Sequence, residues 1–380
     1  MTSIPVLDIS LADDPHRKPE LLESLRAALF DVGFLYIVNH GVAANTIKSL
    51  TDILPRLFAL ADEHKVTLSK LNSPHFLNYS GFAEETTLGI QDLREQFDYA
   101  TELPVVYEPA REPSSKYSKH RPGDFSQLYW RLRGPNQWPA EVLLPGFGTA
   151  LTDYHDAVQA LSYRFVHLIK EAVNIPVGTF DQFFEPESRT CGTPEKVSLP
   201  PQHRIKLLRY PPAPHNDDGA QGVGAHKDSS GWLTFLYQVG VEPGLEVMVA
   251  NGDWIPAYPI DNGFVVNFGN AFDAAAEGAV KATVHRVIAP RQDSKVRYSI
   301  PFFQGLPLDM TVSEIRGYIP DAVKRHRDES GTPHDGISSF LDPRWDSLGE
   351  SQLRKWIRSH KDVGLKWYGE ETVAYYTAAD

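Results

Sequence analysis

Cysteine is almost absent from this chain of 380 residues, which contains only Cys191. A single thiol cannot form an intramolecular disulfide, and it cannot build the multi-cysteine zinc sites of small metal-stabilised domains. The sequence therefore excludes a disulfide scaffold and a zinc ribbon. A chain of this length does not need such cross-links, because it can bury a substantial apolar core.

Long apolar runs and an excess of positive charge are also missing. No stretch of 18 apolar residues is present, and residues 1–15 lack the basic region and apolar run of a signal peptide. Asp and Glu (49) outnumber Lys and Arg (37), so the formal charge of −12 gives no electrostatic reason to bind nucleic acid or anionic lipid. We therefore expect a soluble, cytoplasmic protein that acts on a small molecule, with no nucleic-acid or membrane partner. The oligomeric state is left open.

Two histidines, an aspartate and an Arg-x-Ser pair are the most informative polar residues. His226 and Asp228 are two residues apart, and His285 and then Arg297 and Ser299 follow further along the chain. Two imidazoles and one carboxylate are the ligand set of non-haem Fe(II) oxygenases, because they leave positions on the metal for substrate and O₂. On a strand, residues two apart share a face, so each close pair is predicted to act together. Arginine is suited to binding the carboxylate of an acidic co-substrate.

The His-x-Asp triplet alone is not specific, because it occurs four times: His215/Asp217, His226/Asp228, His326/Asp328 and His360/Asp362. The first lies in a segment rich in Pro, Asn and Asp, which predicts a turn. The last two lie in charged stretches, which predict solvated surface. Only the second precedes a strand-like run, at residues 232–238. The second triplet is therefore the predicted metal site.

Short segments throughout the chain carry a family resemblance. They include Gly-Phe-Leu-Tyr-Ile-Val-Asn-His-Gly at 33–41, Gly-Ala-His-Lys-Asp at 224–228 and Arg-Tyr-Ser-Ile-Pro at 297–301. Further matches are at 4–10, 78–82, 208–212, 244–247, 251–256, 265–269 and 283–287. With these segments in this order, the chain resembles the Fe(II)/2-oxoglutarate-dependent dioxygenases of the isopenicillin-N-synthase-like group over nearly its whole length.

The resemblance implies a set of co-substrates and site residues. Fe(II) would be bound by His226, Asp228 and His285, and the distal carboxylate of 2-oxoglutarate by Arg297, Ser299 and Tyr210. With O₂, such an enzyme decarboxylates 2-oxoglutarate to succinate and CO₂ while it oxidises a small organic substrate. Many members have Asn where this chain has Leu208. How the 2-oxo end of the co-substrate is held is therefore left open.

The segment 78–97 is similar to a substrate-binding segment of ethylene-forming enzymes, where an acid and a threonine help to hold L-arginine. The candidate substrate residues are Tyr79, Glu84, Glu85, Thr86, Thr87 and Lys206, with Glu85 and Thr87 the nearest counterparts of that acid and threonine. Because the same spacing occurs broadly in the family, a lid-supporting loop is the alternative interpretation. Lys206 is predicted either to add positive charge near the co-substrate or to face outward from a strand.

The predicted fold class is α+β with a mainly β core. Helical periodicity is present in residues 21–32, 44–71 and 151–174, and Pro55 is expected to divide the second of these helices. Strands are indicated by residues 34–38 and by the short apolar runs of 205–303. The resemblance implies a double-stranded β-helix (jelly roll) flanked by helices. We predict an N-terminal substrate-side region at 1–105, a loop and long supporting helix at 106–204, a jelly-roll core at 205–305 and a C-terminal helical region at 306–380, together forming one compact catalytic unit.

Four other functions remain open at this point. The first is an ethylene-forming enzyme that uses 2-oxoglutarate with L-arginine. The second is an iron oxidase that does not use 2-oxoglutarate, and the third is a non-catalytic jelly-roll sensor. The last is a zinc hydrolase, although the chain lacks a His-Glu-x-x-His helix.

Overall fold

A computed structural model describes residues 3–87, 89–109, 123–184, 199–213, 219–228, 231–326 and 346–378. Its strands are β1 (Val6–Asp8), β2 (Phe34–Val38), β3 (Asn78–Ser80), β4 (Thr86–Thr87), β5 (Ile90–Gln91), β6 (Glu95–Ala100), β7 (Arg204–Tyr210), β8 (Gln221–His226), β9 (Leu233–Val239), β10 (Leu245–Met248), β11 (Trp254–Pro256), β12 (Phe264–Phe268), β13 (His285–Ile288) and β14 (Arg297–Gln304).

The helices lie between these strands along the chain and after the last of them. They are α1 (Lys18–Ala27), α2 (Ala44–Thr51), α3 (Leu54–Phe58), α4 (Asp62–Thr67), α5 (Phe147–Ala172), α6 (Asp181–Phe184), α7 (Asn270–Ala275), α8 (Val312–Arg316), α9 (Asp321–Lys324), α10 (Leu348–Ser359), α11 (Lys361–Tyr368) and α12 (Glu370–Thr377). Short 3-10 segments span Ile9–Asp13, Lys70–Asn72 and Leu128–Leu132, and a π-helical turn spans Ala28–Val32. None of the helices in the described ranges is long and apolar enough to cross a membrane.

Two sheets build the core. The larger has the order β1-β2-β12-β9-β14-β7-β6-β3, and the smaller has the order β11-β10-β13-β8. Neighbouring strands are antiparallel except for the parallel pair β1 and β2. One apolar cluster combines side chains from both sheets, including Leu208, Tyr210, Val223, Leu245 and Val287. Two antiparallel sheets that share an apolar interior form the predicted jelly roll, and the fold class is confirmed.

The long helix α5 supports the outer face of the larger sheet. Its apolar residues recur every three or four positions, and Leu151, Tyr154, Val158 and Phe165 are buried. The rings of Phe165 and Phe235, which belongs to β9, meet edge to face at 5.6 Å. Full burial of each such side chain contributes about 1.5–3 kcal/mol, so this stripe anchors the sheet from behind. The helix predicted at 151–174 is confirmed.

Two local predictions around proline and glycine also agree with the structure. The helical segment 44–71 is divided into α2, α3 and α4, and Pro55 lies in the first turn of α3, where its missing N–H is tolerated. The helix predicted at 21–32 continues past α1 as the π-helical turn and ends at Gly33, with φ of 73°. A Cβ at Gly33 would lie 2.2 Å from Thr283 Oγ1, so the chain passes too close for a side chain there.

Strands from the predicted N-terminal region belong to the same sheet as those of the predicted core, since β2 pairs with β12 and β6 pairs with β7. At the other end of the chain, α10 and α12 pack together in a second apolar cluster that includes Trp130, Leu353 and Tyr376. The division into four regions stays a prediction. Cys191, the triplet His215/Asp217 and most of the loop expected at 107–123 lie outside the described residues.

Candidate active site

Two histidines lie opposite each other on neighbouring strands. His226 ends β8, His285 begins β13, and the two are direct partners in the register, with ring centroids 4.3 Å apart. The Nδ1 atoms lie 2.8 Å from the carbonyl oxygen of Gly224 and 3.1 Å from that of Thr283, respectively. Because a carbonyl only accepts, each Nδ1 carries the proton and donates it. The Nε2 lone pairs of both rings are then available to a metal.

Asp228 completes this group, but it does not share a strand with His226. β8 ends at His226, two residues before Asp228. The backbone carbonyl of Asp228 accepts a hydrogen bond at 2.9 Å from N of Asn270, the first residue of α7. The prediction of a common strand is therefore wrong for Asp228. Its Oδ2 accepts from Thr234 Oγ1 at 2.6 Å and from Asn267 Nδ2 at 2.7 Å, while Oδ1 lies 3.9 Å from His285 Nε2.

The ligand atoms of His226, Asp228 and His285 all lie within 4.8 Å of one another, which is close enough for one metal ion to contact all three. Burial lowers the pKa of His226 to about 3, and the charge of His285 acts in the same direction. Burial raises the pKa of Asp228, but the two histidines and its two hydrogen-bond donors outweigh that effect, and the pKa is lowered. A neutral imidazole beside an ionised carboxylate is the charge state that a divalent metal requires.

Arg297 lines the same barrel interior and is buried. It is 1% exposed, its guanidinium carbon lies 5.0 Å from the ring centroid of Tyr210, and its Nη2 donates to Gln238 Oε1 at 2.8 Å. Its Nη1 lies 3.5 Å from Ser299 Oγ, and its Nε has no hydrogen-bond partner. Among the described residues no carboxylate pairs with it, and burial lowers its pKa. A buried cation without a partner is costly, so the site is suited to an anionic ligand.

One cavity of about 320 Å³ joins the triad to this arginine. Its inner wall is apolar and is formed by Phe34, Leu208, Val223, Leu236, Leu245 and Val287, together with Tyr210 and Ser299. Leu208, at the position where the family resemblance leads one to expect Asn, therefore contributes an apolar side chain to the wall. Much of the remaining lining is polar or charged, including Glu85, Asp92, Arg94, Lys206 and Lys355.

The structure separates the candidate substrate residues into two groups. Glu85, Thr86, Thr87 and Lys206 line the cavity, whereas Tyr79 and Glu84 do not. The Tyr79 hydroxyl lies 3.5 Å from Glu95 Oε1, and Glu84 Oε2 accepts from Gly81 N at 2.7 Å. Lys206 faces the cavity, which decides between its two predicted orientations.

Glu85 is already engaged on both carboxylate oxygens. Its Oε1 contacts Gln96 Nε2 at 2.7 Å, His360 Nε2 at 2.7 Å and Lys70 Nζ at 3.2 Å, and its Oε2 accepts from Arg94 Nη2 at 2.7 Å. Burial raises its pKa, but the surrounding cations lower it well below the usual range. These partners would compete with a guanidinium for the Glu85 carboxylate. This arrangement disfavours Glu85 as the carboxylate that holds L-arginine.

A wall of the cavity comes from α10 and was missed by sequence reasoning. One face of this helix carries four residues at the spacing i, i+3, i+4 and i+7, namely Gln352, Lys355, Trp356 and Ser359. They line this cavity or a smaller adjoining cavity of about 40 Å³. That spacing is the signal by which the sequence could have identified this wall.

The prediction that His360 lies on the solvated surface is wrong, since this residue is 8% exposed and lines the cavity. It was misassigned because its sequence neighbours are charged. By contrast, His326 is half-buried, and its ring stacks on Phe30 with centroids 4.2 Å apart. His326 does not line the cavity.

Comparison with known proteins places the chain in a family. Residues 4–141 match the model described as "non-haem dioxygenase in morphine synthesis N-terminal", and residues 202–305 match that of the 2OG-Fe(II) oxygenase superfamily. A 2-oxoglutarate-dependent dioxygenase of Dothideomycetidae sp. is 37% identical over 96% of this chain and 92% of its own length. A homoarginine-6-hydroxylase of Arabidopsis thaliana is 29% identical over 82% of this chain and 87% of its own. The chain belongs to the 2OG-Fe(II) oxygenase superfamily.

The fold is also found among solved structures. A full-length Neurospora crassa protein, crystallised in complex with alpha-KG, superposes with a TM-score of 0.67 at 23% identity, covering 93% of this chain and 95% of the other. From the family model and the 37% identical relative, the protein is an Fe(II)- and 2-oxoglutarate-dependent oxygenase that uses O₂. The oxidase, sensor, hydrolase and ethylene-forming alternatives are not favoured.

Proposed function

We propose that His226, Asp228 and His285 bind the Fe(II), and that Arg297, Ser299 and Tyr210 bind the distal carboxylate of 2-oxoglutarate. The observation that carries this assignment is one cavity that contains both three converging ligand atoms and a buried guanidinium without a counter-ion in the described chain. The enzyme would oxidise a small organic substrate at the cavity mouth while 2-oxoglutarate is converted to succinate and CO₂.

Each residue has a defined part in this proposal. Bound iron supplies the activation of O₂, and the protein positions the co-substrates and the substrate around it. Thr234 and Asn267 occupy Asp228 Oδ2, so Oδ1 would be the oxygen that holds the metal. Gln238 holds Nη2 of Arg297, so the remaining N–H groups are oriented for a carboxylate. The apolar inner wall excludes water from the co-substrate.

The direct test is an anaerobic titration. Fe(II) and then 2-oxoglutarate are added to wild type, Asp228→Ala and Asp253→Ala while the visible spectrum is recorded. We expect a charge-transfer band in wild type and in Asp253→Ala, whose carboxylate lies in an exposed turn, and no band in Asp228→Ala. A band of wild-type intensity in Asp228→Ala would disprove the metal assignment.

Two further expectations are kept as proposals. We place the protein in the cytoplasm, which cell fractionation would test. Ethylene formation from 2-oxoglutarate and L-arginine is expected to be absent, because Glu85 is engaged by Arg94 and its other partners. Gas chromatography of the headspace would detect ethylene if this expectation is wrong.

A further inference from the structure

The cavity has more positive than negative groups. Among the described residues, five cationic side chains line it (Arg94, Lys206, Lys227, Arg297 and Lys355), against the three carboxylates of Glu85, Asp92 and Asp228. Binding of Fe(II) adds two positive charges, and binding of 2-oxoglutarate adds two negative ones, so the two co-substrates together leave the excess unchanged. A remaining positive potential in an enclosed cavity favours a negatively charged substrate.

Most of these cations already have partners. Arg94 is held by Glu85 at 2.7 Å, and Arg297 faces the proposed co-substrate position. Lys206 Nζ lies 3.5 Å from Asp98 Oδ1, whereas the other oxygen of Asp98 pairs with Lys70 at 2.8 Å. The ion pair of Lys206 with Asp98 is therefore long, and Lys206 shares that carboxylate with Lys70.

Lys355 is different, because its ammonium pairs with no carboxylate of the described chain. It lies 4.8 Å from the ring centroid of Trp356 and lines both the main cavity and the smaller adjoining one. Asp228 and Lys206 line the same two cavities. Burial lowers the pKa of Lys355 to about 8, and the charge of Lys206 contributes, although Asp228 opposes the shift. An ammonium in these surroundings gains from an anionic partner.

We propose that the primary substrate is a small organic acid whose carboxylate pairs with Lys355, assisted by Lys206, at the side of the cavity next to Asp228. This inference rests on the proposed function, since it places the substrate beside the proposed metal. One free ammonium with one partly paired neighbour matches a monoanion, whereas a phosphate dianion would call for more donors. Trp356 and Phe303 form an apolar wall against which the carbon skeleton of the acid lies.

The test compares acids with their uncharged amides in the anaerobic enzyme loaded with Fe(II) and saturating 2-oxoglutarate. Saturation prevents the acids from occupying the co-substrate position. The probes are propionate and propionamide, benzoate and benzamide, and indole-3-acetate and indole-3-acetamide. Binding is read from the perturbation of the charge-transfer band, which requires no turnover. The proteins are wild type, Lys355→Met, Lys355→Arg and Lys366→Met.

Lys366→Met is the matched control, because Lys366 also lies beside a tryptophan, at 5.6 Å from the ring centroid of Trp367, but does not line the cavity. We expect at least one acid to bind wild type and Lys366→Met more tightly than its amide. Lys355→Met should bind that acid about ten- to a hundredfold more weakly, as expected for loss of a charged hydrogen bond, and Lys355→Arg should restore much of the affinity.

Two outcomes would overturn the inference. One is the absence of any preference for acid over amide across all three pairs, and the other is an unchanged affinity for the acid in Lys355→Met. In both cases a normal charge-transfer band would leave the proposed function intact. Loss of the band in wild type would instead refute the proposed function itself.

Discussion

Replacement of Arg297 by lysine tests the co-substrate site most directly. Lysine keeps the positive charge but loses the planar fork that binds a carboxylate through two parallel hydrogen bonds. In the structure, Arg297 already uses Nη2 to donate to Gln238, whereas its Nε has no partner and its Nη1 has only a long contact with Ser299. Arg297→Lys therefore removes one of the two donors that remain for 2-oxoglutarate.

The loss of one hydrogen bond to a charged group corresponds to about 1.5–3 kcal/mol. We thus expect the Kd for 2-oxoglutarate to rise roughly 10- to 150-fold, with Fe(II) binding unchanged. The assay is an anaerobic titration of the Fe(II)-loaded protein with 2-oxoglutarate, followed by the charge-transfer band. The kcat at saturating co-substrate should change much less than the Kd.

The matched control is Arg209→Lys. Arg209 lies on β7, opposite Tyr298 in the register, but it donates to Glu95 at 2.8 Å and does not line the cavity. Its replacement should leave the titration unchanged. A wild-type Kd for 2-oxoglutarate in Arg297→Lys would refute the reasoning, as would an equal loss of affinity in both variants.

Three further predictions concern the metal, a close backbone contact and pH. His285→Ala should abolish coupled succinate formation and Fe(II) binding, whereas His16→Ala, at an exposed site, should retain both in an iron-binding assay. Gly269→Ala should lower the free energy of unfolding by about 1–3 kcal/mol or more, because its Cβ would lie 1.9 Å from Gly231 O. Gly148→Ala in α5 is the control, because its Cβ would meet no atom closer than 3.9 Å. Denaturant titration would compare the two variants, and equal stabilities would contradict the clash. Burial holds the pKa of His203 well below its usual value, and Gly305 N donates a hydrogen bond to its Nδ1. Below about pH 6.5 the unfolded chain therefore binds more protons than the folded one. The free energy of unfolding should fall as the pH drops below that value. His203→Gln should show a shallower dependence on pH than wild type or His16→Gln, and identical slopes would show that His203 is not responsible.

The sequence predicted the centre of the active site better than its rim. Strand pairing follows from alternating apolar patterns, and ligand chemistry restricts a metal site to a few residue types. These local rules indicated strands and a metal site at His226, Asp228 and His285, and the family resemblance supplied the jelly roll. They were not enough for the path of the chain after β8, where Asp228 lies beyond the strand and its carbonyl accepts a hydrogen bond from Asn270 N.

The mouth of the cavity depends on contacts between distant segments, which a single sequence does not reveal. Glu85 and His360 are 275 positions apart, yet their side chains are 2.7 Å from each other. A charged local sequence usually indicates exposure, and for His360 this rule fails because Lys70 and Glu85 provide buried partners for its ring. The residue spacing in α10 indicates a single helical face, but only the tertiary structure shows that this face lines the cavity.

The position of α10 along the chain has a consequence for biosynthesis. The segments that contain His226, Asp228 and His285 leave the ribosome before Lys355, Trp356 and His360 do. Until α10 docks, the nascent protein lacks the cavity wall that this helix supplies. Completion of the cavity around the three candidate metal ligands therefore depends on a helix that is synthesised after all of them.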